Sequence, residues 1–433
     1  MIFNEKIETA SLENLKNLQS ERLCSLAAYV YKNSPVYKKR IDESGYSVSD
    51  IKTIDDITKL PFTTKDDMRD YYPFGLFSQP VSKLAEMHVS SGTTGNPVVS
   101  GYSKQDLDLW GEVVARSIGA AGGVTGDIIQ IAYGYGLFTG GLGLHYGALK
   151  FGCCIMPMSS GQTKRQVKLM HDFKPRILAC TPSFAMYMGE EARAAGFTPE
   201  DISWQVGIFG AEPWTKAMQL NIDKSLGLLS TDIYGLSEIT GPGVAQECHL
   251  REGLHVWSDV FYPEVIDPET GKRVADGETG ELVITTLTRT GMPLLRYRTR
   301  DLVSIDHTPC KCGRTAPRIS KIKGRTDDMI VVRGINVFPT QIEYALLQVE
   351  ESLPNYLIIV DRKENGLDVL EVQVEIDQKY FTDELKGLEL VRTKIQKSIE
   401  QTILVGVSVK LVGPKTIERS EGKAKRVIDN RKM

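Results

Sequence analysis

The sequence predicts an α/β protein: a large N-terminal domain with a mostly parallel sheet and a β-rich subdomain, then a small α+β C-terminal domain. Three observations predict it. Short apolar runs alternate with amphipathic stretches from about residue 85 to 245. Turn-separated, β-branched segments fill about 250–322. Beyond the loop at 324–328 lies a strand–helix–strand–strand–helix–strand outline of domain size.

Taken in order, residues 12–31 carry Leu15, Leu18, Leu23 and Leu26 at roughly helical spacing. The stretch 60–65 is a Pro-containing turn leading toward a helix at Asp66. Strands are expected at 127–133, 151–158, 176–180, 206–209 and 231–234, with helices at 104–120, 163–173, 183–194 and 215–226. That alternation implies a parallel sheet covered on both faces, with ligands bound beyond the carboxyl ends of its strands. Gly210-Ala211-Glu212-Pro213 and Tyr234-Gly235-Leu236-Ser237-Glu238 each directly follow such a strand. Asp267-Pro268-Glu269-Thr270-Gly271 and Asp276-Gly277-Glu278 are turn signals, and the run at 281–286 predicts antiparallel hairpins. The C-terminal outline comprises strands at 329–332, 356–360, 367–376 and 407–412 and helices at 340–349 and 383–403.

Composition narrows the class. With 433 residues, 41% hydrophobic and 25% charged, the chain can build a large core and is not a disordered segment. A net charge of -3 gives no global pull toward nucleic acid or anionic lipid. No apolar run approaches the roughly 20 residues that span a bilayer, and residues 1–5 begin no signal peptide. Seven cysteines without secreted-scaffold spacing fit a reducing, cytoplasmic setting.

The densest chemistry lies in Ser90-Ser91-Gly92-Thr93-Thr94-Gly95-Asn96-Pro97. Glycines allow close backbone approach, and successive N–H groups with hydroxyls form an anion-binding concavity. No Gly-Lys-Ser/Thr closes the stretch, so it is not a Walker A loop. Glu238, at a strand end, offers the oxygen ligand Mg2+ prefers. The loop from Tyr133 to Gly141 mixes glycines with aromatics, a setting for a flat apolar acyl group, with Tyr135, Phe138 and Ala211 as pocket candidates. Cys310-Lys311-Cys312 with Cys248 and either His255 or His249 makes a three-Cys, one-His set suited to structural zinc. Residues 415–432 hold seven Lys/Arg against three acids, which alone reads as a solvated basic tail.

The Ser90–Pro97 stretch resembles the phosphate loop of the adenylate-forming superfamily, and the landmarks after it resemble its phenylacetate–CoA ligase branch from about residue 20 onward. The superfamily usually has Lys where Asn96 stands, a departure that removes a charge but leaves the backbone cradle. The resemblance implies an ATP-dependent, AMP-forming acid–thiol ligase that passes an aryl acid, phenylacetate foremost, to coenzyme A. Indoleacetate or benzoate, another acceptor, or a non-catalytic nucleotide or acyl-CoA sensor are the alternatives. It also implies a nucleotide set of Ser90, Ser91, Gly92, Thr93, Thr94, Gly95, Gly210, Ala211, Glu212, Pro213, Asp232, Tyr234, Gly235, Ser237, Asp301 and Arg325. Tyr135, Phe138, Gly140, Ala211 and Gly235 would meet the acid, Glu238 would hold Mg2+, and Lys423 would be the catalytic lysine. Asp327 would be the pivot of a hinge at 325–328 between a 1–324 domain and a mobile 329–433 domain, in a homodimer.

Overall fold

The computed structural model describes residues 1–90, 97–333, 335–363, 367–380, 385–420 and 424–432. The first helices are α1 (Glu5–Glu8), α2 (Leu12–Asn33), α3 (Pro35–Glu43) and α4 (Lys65–Asp70). Ser11 caps α2 by accepting the Asn14 N–H, and the helix buries Leu15, Leu23, Leu26, Ala27 and Val30. Thr64 and Asp67 form a reciprocal capping box that starts α4, as the Pro-containing turn foretold.

A hairpin of β1 (Glu86–Val89) and β2 (Val99–Tyr102) flanks the hydroxyl-rich loop. The alternating region follows: α5 (Lys104–Ala121), β3 (Ile128–Ile131), α6 (Thr139–Phe151), β4 (Cys154–Pro157), α7 (Thr163–Phe173), β5 (Ile177–Cys180), α8 (Pro182–Ala194), β6 (Val206–Gly210), α9 (Lys216–Leu226) and β7 (Leu229–Leu236). The β-rich stretch supplies β8 (Gly241–Glu247), β9 (Leu254–Val256), β10 (Phe261–Ile266), β11 (Gly280–Thr286), β12 (Tyr297–Val303), β13 (Ile305–Asp306), β14 (Arg318–Ile319) and β15 (Gly324–Arg325).

The central sheet has nine strands in the order β13-β14-β9-β8-β7-β6-β5-β3-β4. From β4 to β7 every pairing is parallel, and from β7 outward every pairing is antiparallel. Two differences from the sequence expectation stand out. β8, β9, β13 and β14 extend the main sheet, so only β10, β11, β12 and β15 form a separate antiparallel sheet. And α6 occupies a stretch whose start, through Gly141, reads as glycine-rich loop, while the strand expected from 151 begins at Cys154.

Helix α6 exists because its glycines are contact points. A Cβ on Gly147 would sit 2.2 Å from Val114 of α5, and one on Gly143 would sit 2.4 Å from the Trp110 ring. Smooth faces let the two helices approach closely, and the buried pair covers one face of the parallel strands.

The C-terminal part is built from β16 (Ile330–Val332), β17 (Ile335–Val337), α10 (Pro339–Leu346), β18 (Ser352–Arg362), β19 (Asp368–Ile376), α11 (Leu385–Ile403), β20 (Ser408–Val412) and β21 (Val427–Asp429). Its sheet runs β20-β19-β18-β21, with β21 parallel to β18. Ile358, Val360, Leu370, Val372 and Val374 pack with Ile395 and Ile399 of α11 in a core of their own. Strands β17 and β21 lie outside the sequence outline. Among the described residues no helix is long and apolar enough to cross a membrane.

Candidate active site

The site candidates collect at the carboxyl ends of β6 and β7. β6 ends in Gly210, where a Cβ would lie 2.1 Å from the Ile233 carbonyl. Ala211 follows at φ 70, in the left-handed region, so the turn bends sharply. The Glu212 carboxylate then accepts two backbone N–H groups, from Ser183 at 2.7 Å and from Ala424 at 2.9 Å. At Gly235 a Cβ would lie 1.7 Å from the Gly241 carbonyl, so only glycine fits where β7 turns into β8.

Beyond Gly235, Ser237 and Glu238 sit in a bolted turn. The Ser237 carbonyl accepts the Ser100 hydroxyl at 2.7 Å, and its own hydroxyl is 3.2 Å from that of Thr139. Arg289 donates to the Glu238 carbonyl at 2.7 Å and lies 4.5 Å over the Tyr102 ring. The Glu238 carboxylate is buried with the Lys65 ammonium 3.8 Å away. A carboxylate so enclosed keeps its charge only beside a cation, here Lys65, or a metal ion.

Asp301 joins this face from β12. It accepts the Tyr234 hydroxyl at 2.6 Å and Arg325 Nη1 at 2.7 Å. Burial raises the Asp301 carboxyl above the ordinary range, with the Arg325 charge and the Tyr234 hydroxyl acting against it. Arg325 also holds Asp327 through Nε at 2.9 Å, so one guanidinium spans from β12 to the segment entering the C-terminal part. Asp232, also proposed from sequence, is engaged elsewhere: Lys321 reaches it at 3.0 Å.

Ser90 closes the base of the hydroxyl-rich loop, donating its N–H to the Val98 carbonyl at 2.9 Å and accepting the Val98 N–H at 3.1 Å. Ser91, Gly92, Thr93, Thr94 and Gly95 lie outside the described residues, as does Lys423. Tyr135 and Gly140 line the aromatic loop. The Tyr135 hydroxyl is 3.3 Å from His145 Nδ1, and burial pushes its phenol up to about 12. Phe138, at the start of α6, is 54% exposed, so in this arrangement it forms no closed pocket wall. Between Glu212, Arg325, Tyr356 and Arg426 opens a cavity of about 1020 Å3.

Sequence reasoning passed over three supports of this face. Lys65 belongs to the turn expected to lead toward a helix at Asp66, and Arg289 carries no motif. His88, two residues before Ser90, is buried with Nε2 2.5 Å from Glu86 and Nδ1 3.0 Å from the Leu137 carbonyl. It ties the strand before the hydroxyl-rich loop to the aromatic loop, and no local spacing signals that.

Away from this face, Cys248, His255, Cys310 and Cys312 place one ligand atom each within 4.8 Å of one another. Tetrahedral zinc, with Zn–S of about 2.3 Å and Zn–N of about 2.0 Å, sets ligand atoms about 3.5–3.8 Å apart. Cys248 and Cys310 sulfurs are 3.9 Å apart, and Cys312 Sγ is 3.5 Å from His255 Nε2. The set therefore fits zinc, and exposed His249 lies outside it.

The fold and the strand-end face define an AMP-binding enzyme. The AMP-binding enzyme family matches residues 41–288, and the AMP-binding enzyme C-terminal domain matches 334–431. The phenylacetate-coenzyme A ligase of Thermus thermophilus is 47% identical over 446 residues, covering 100% of both chains. A crystal structure of 2-hydroxyisobutyryl-CoA ligase in the postadenylation state, with 2-HIB-AMP, superposes with a TM-score of 0.94 at 28% identity, over 100% of this chain and 93% of that one. The same ligase in its thioesterification state, with 2-HIB-AMP and CoA, gives 0.73 at 29% identity, over 98% and 91%. This chain belongs to the phenylacetate-coenzyme A ligase family of AMP-binding enzymes.

Proposed function

We propose that the protein activates an aryl acid, phenylacetate foremost, with ATP and transfers it to coenzyme A, releasing AMP and diphosphate. Family membership supports the reaction class; the observation that carries the site is the Tyr234–Asp301–Arg325 group beside buried Glu238. The acid's carboxylate attacks the α-phosphate of ATP, the bond to diphosphate breaks, and an acyl-adenylate forms. The backbone of Ser90, Ser91, Gly92, Thr93, Thr94 and Gly95 cradles the phosphates. The adenine lies along Gly210–Pro213 and Tyr234, and Asp301 accepts the ribose hydroxyls. Lys423 draws two mutually repelling anions together, where fixed positive charge is most effective. Glu238 would hold Mg2+, whose positive charge would offset that of the phosphates. The CoA thiol then attacks the acyl carbonyl, and the bond to AMP breaks.

The division at 325–328, with Asp327 as pivot, fits the separate C-terminal core and the two arrangements of the hydroxyisobutyryl ligase. Zinc at Cys248, His255, Cys310 and Cys312 holds structure and takes no part in the reaction. Cytoplasmic residence and a homodimer complete the reading.

Diphosphate release should be screened over phenylacetate, its hydroxylated forms, indoleacetate and benzoate, with and without CoA. The expected outcome is release favouring phenylacetate, with thioester formed only when CoA is present. Lys423→Ala should lose adenylation about 100-fold or more while still converting preformed acyl-adenylate. Equal loss of both half-reactions refutes the lysine's role, and no release from any acid refutes the ligase.

A further inference from the structure

Arg419 stands out among the groups that neither the fold nor the nucleotide face explains. It lies on the segment after β20, four residues before Lys423. Its guanidinium meets two carboxylates at once. Nη1 and Nη2 grip Glu375 of β19, each at 2.8 Å. Nε and Nη2 reach Glu190 of α8, each at 3.1 Å. The side chain is only 13% exposed, that of Glu190 19%, and that of Glu375 fully buried. Glu375 belongs to the C-terminal core and Glu190 to the large part. One planar fork therefore ties the two parts together, a geometry a lysine cannot reproduce.

The two grips differ in what happens when the C-terminal part turns. Arg419 and Glu375 share one body: the Ile417 N–H also bonds Glu375 at 2.8 Å. Their pair survives any rigid rotation. Glu190 sits across the boundary, and its bonds must break. The 0.94 and 0.73 superpositions on two states of one ligase, at nearly equal identity, show that chains of this fold adopt two arrangements and that this one matches the postadenylation arrangement. A cation that lost its only buried partner would be strongly penalised. Arg419 keeps Glu375, so release exposes only Glu190, which water can solvate.

Resting on the ligase reading above, we infer that Arg419 is a positioning residue for the first half-reaction alone. It clamps the lysine-bearing segment to Glu190 while adenylate forms, and lets go without losing its charge partner when thioester formation begins.

Arg419→Ala would strand buried Glu375, so the test is made on Glu190, which touches no substrate. Glu190→Ala and Glu190→Gln are assayed as full-length protein. Diphosphate release from phenylacetate and ATP without CoA should fall about tenfold in Glu190→Ala, within the usual range of coupling between sites. Conversion of preformed phenylacetyl-adenylate by CoA should be unchanged or faster, and the melting temperature close to wild type. Glu190→Gln, which keeps an acceptor without the charge, should fall between. Equal loss in both half-reactions, or none in either, overturns the clamp. A wild-type protein that releases no diphosphate from any aryl acid removes the ligase reading and the clamp with it; an active wild type with an indifferent Glu190→Ala removes the clamp alone.

Discussion

A single carboxyl can show how burial and charge oppose each other at this site. Asp301 is almost fully enclosed, and enclosure makes its proton harder to remove despite Arg325 and Tyr234. Its folded-state value lies above the unfolded one, so the folded chain binds that proton more readily. The group adds stability below the ordinary carboxylate range and withdraws it as pH rises through the raised value. Asp301→Asn titrates nothing there. Its stability relative to wild type, from urea unfolding, should improve as pH rises above the ordinary carboxylate range. A difference independent of pH would show that Asp301 is not held in this way. At this scale the gathering of Asp301, Tyr234 and Glu238 was legible in part, because Tyr234 and Glu238 share one short motif at the end of β7, while Asp301 sits in a short motif within β12. Lys65, Arg289 and His88 were not, since each acts across a large sequence separation.

Elements were read best where local pattern and tertiary demand agree. Helix α7 was foreseen end to end because its buried residues Gln166, Val167 and Met170 recur at helical spacing under an exposed charged face. Helix α6 was missed because Gly140, Gly141, Gly143 and Gly147 argue against a helix by propensity. What overrides propensity is the packing of α6 on α5. Gly147→Ala should therefore destabilise the protein by about 1–3 kcal/mol through overpacking against Val114, although alanine is the better helix former. A gain in unfolding free energy would mean the two helices separate easily. The joining of β8 and β9 to the main sheet was illegible for a related reason. An antiparallel strand shows its face in sequence but not its neighbour.

At the scale of the molecule, the cysteine–histidine set gathers the end of β8, strand β9 and the loop at 310–312. Arg314, next to that loop, forms a buried ion pair with Glu8 at 2.7 Å and donates to the Met1 carbonyl at 2.7 Å. Metal loss should thus loosen the first residues together with the outer strands. Metal analysis should find zinc in wild type and not in Cys310→Ser, and chelation should lower the melting temperature, because metal-binding energy here is folding energy. Adenylation by whatever folded protein remains should be unchanged. Zinc absent from both samples ends the assignment.

Strand β21 sets a further condition on how the protein works. Lys423 stands between β20 and β21, on opposite edges of one sheet, and β21 pairs with β18 through Ile358, Ile359 and Val360. The stretch of sequence that carries Lys423 is thereby joined at both ends to one sheet. On the reading proposed above, a sheet turned for thiol attack would carry the ammonium off with it, and a second ATP arriving at that moment would meet a face lacking its catalyst. Idle nucleotide turnover would then be suppressed by the connectivity of that sheet.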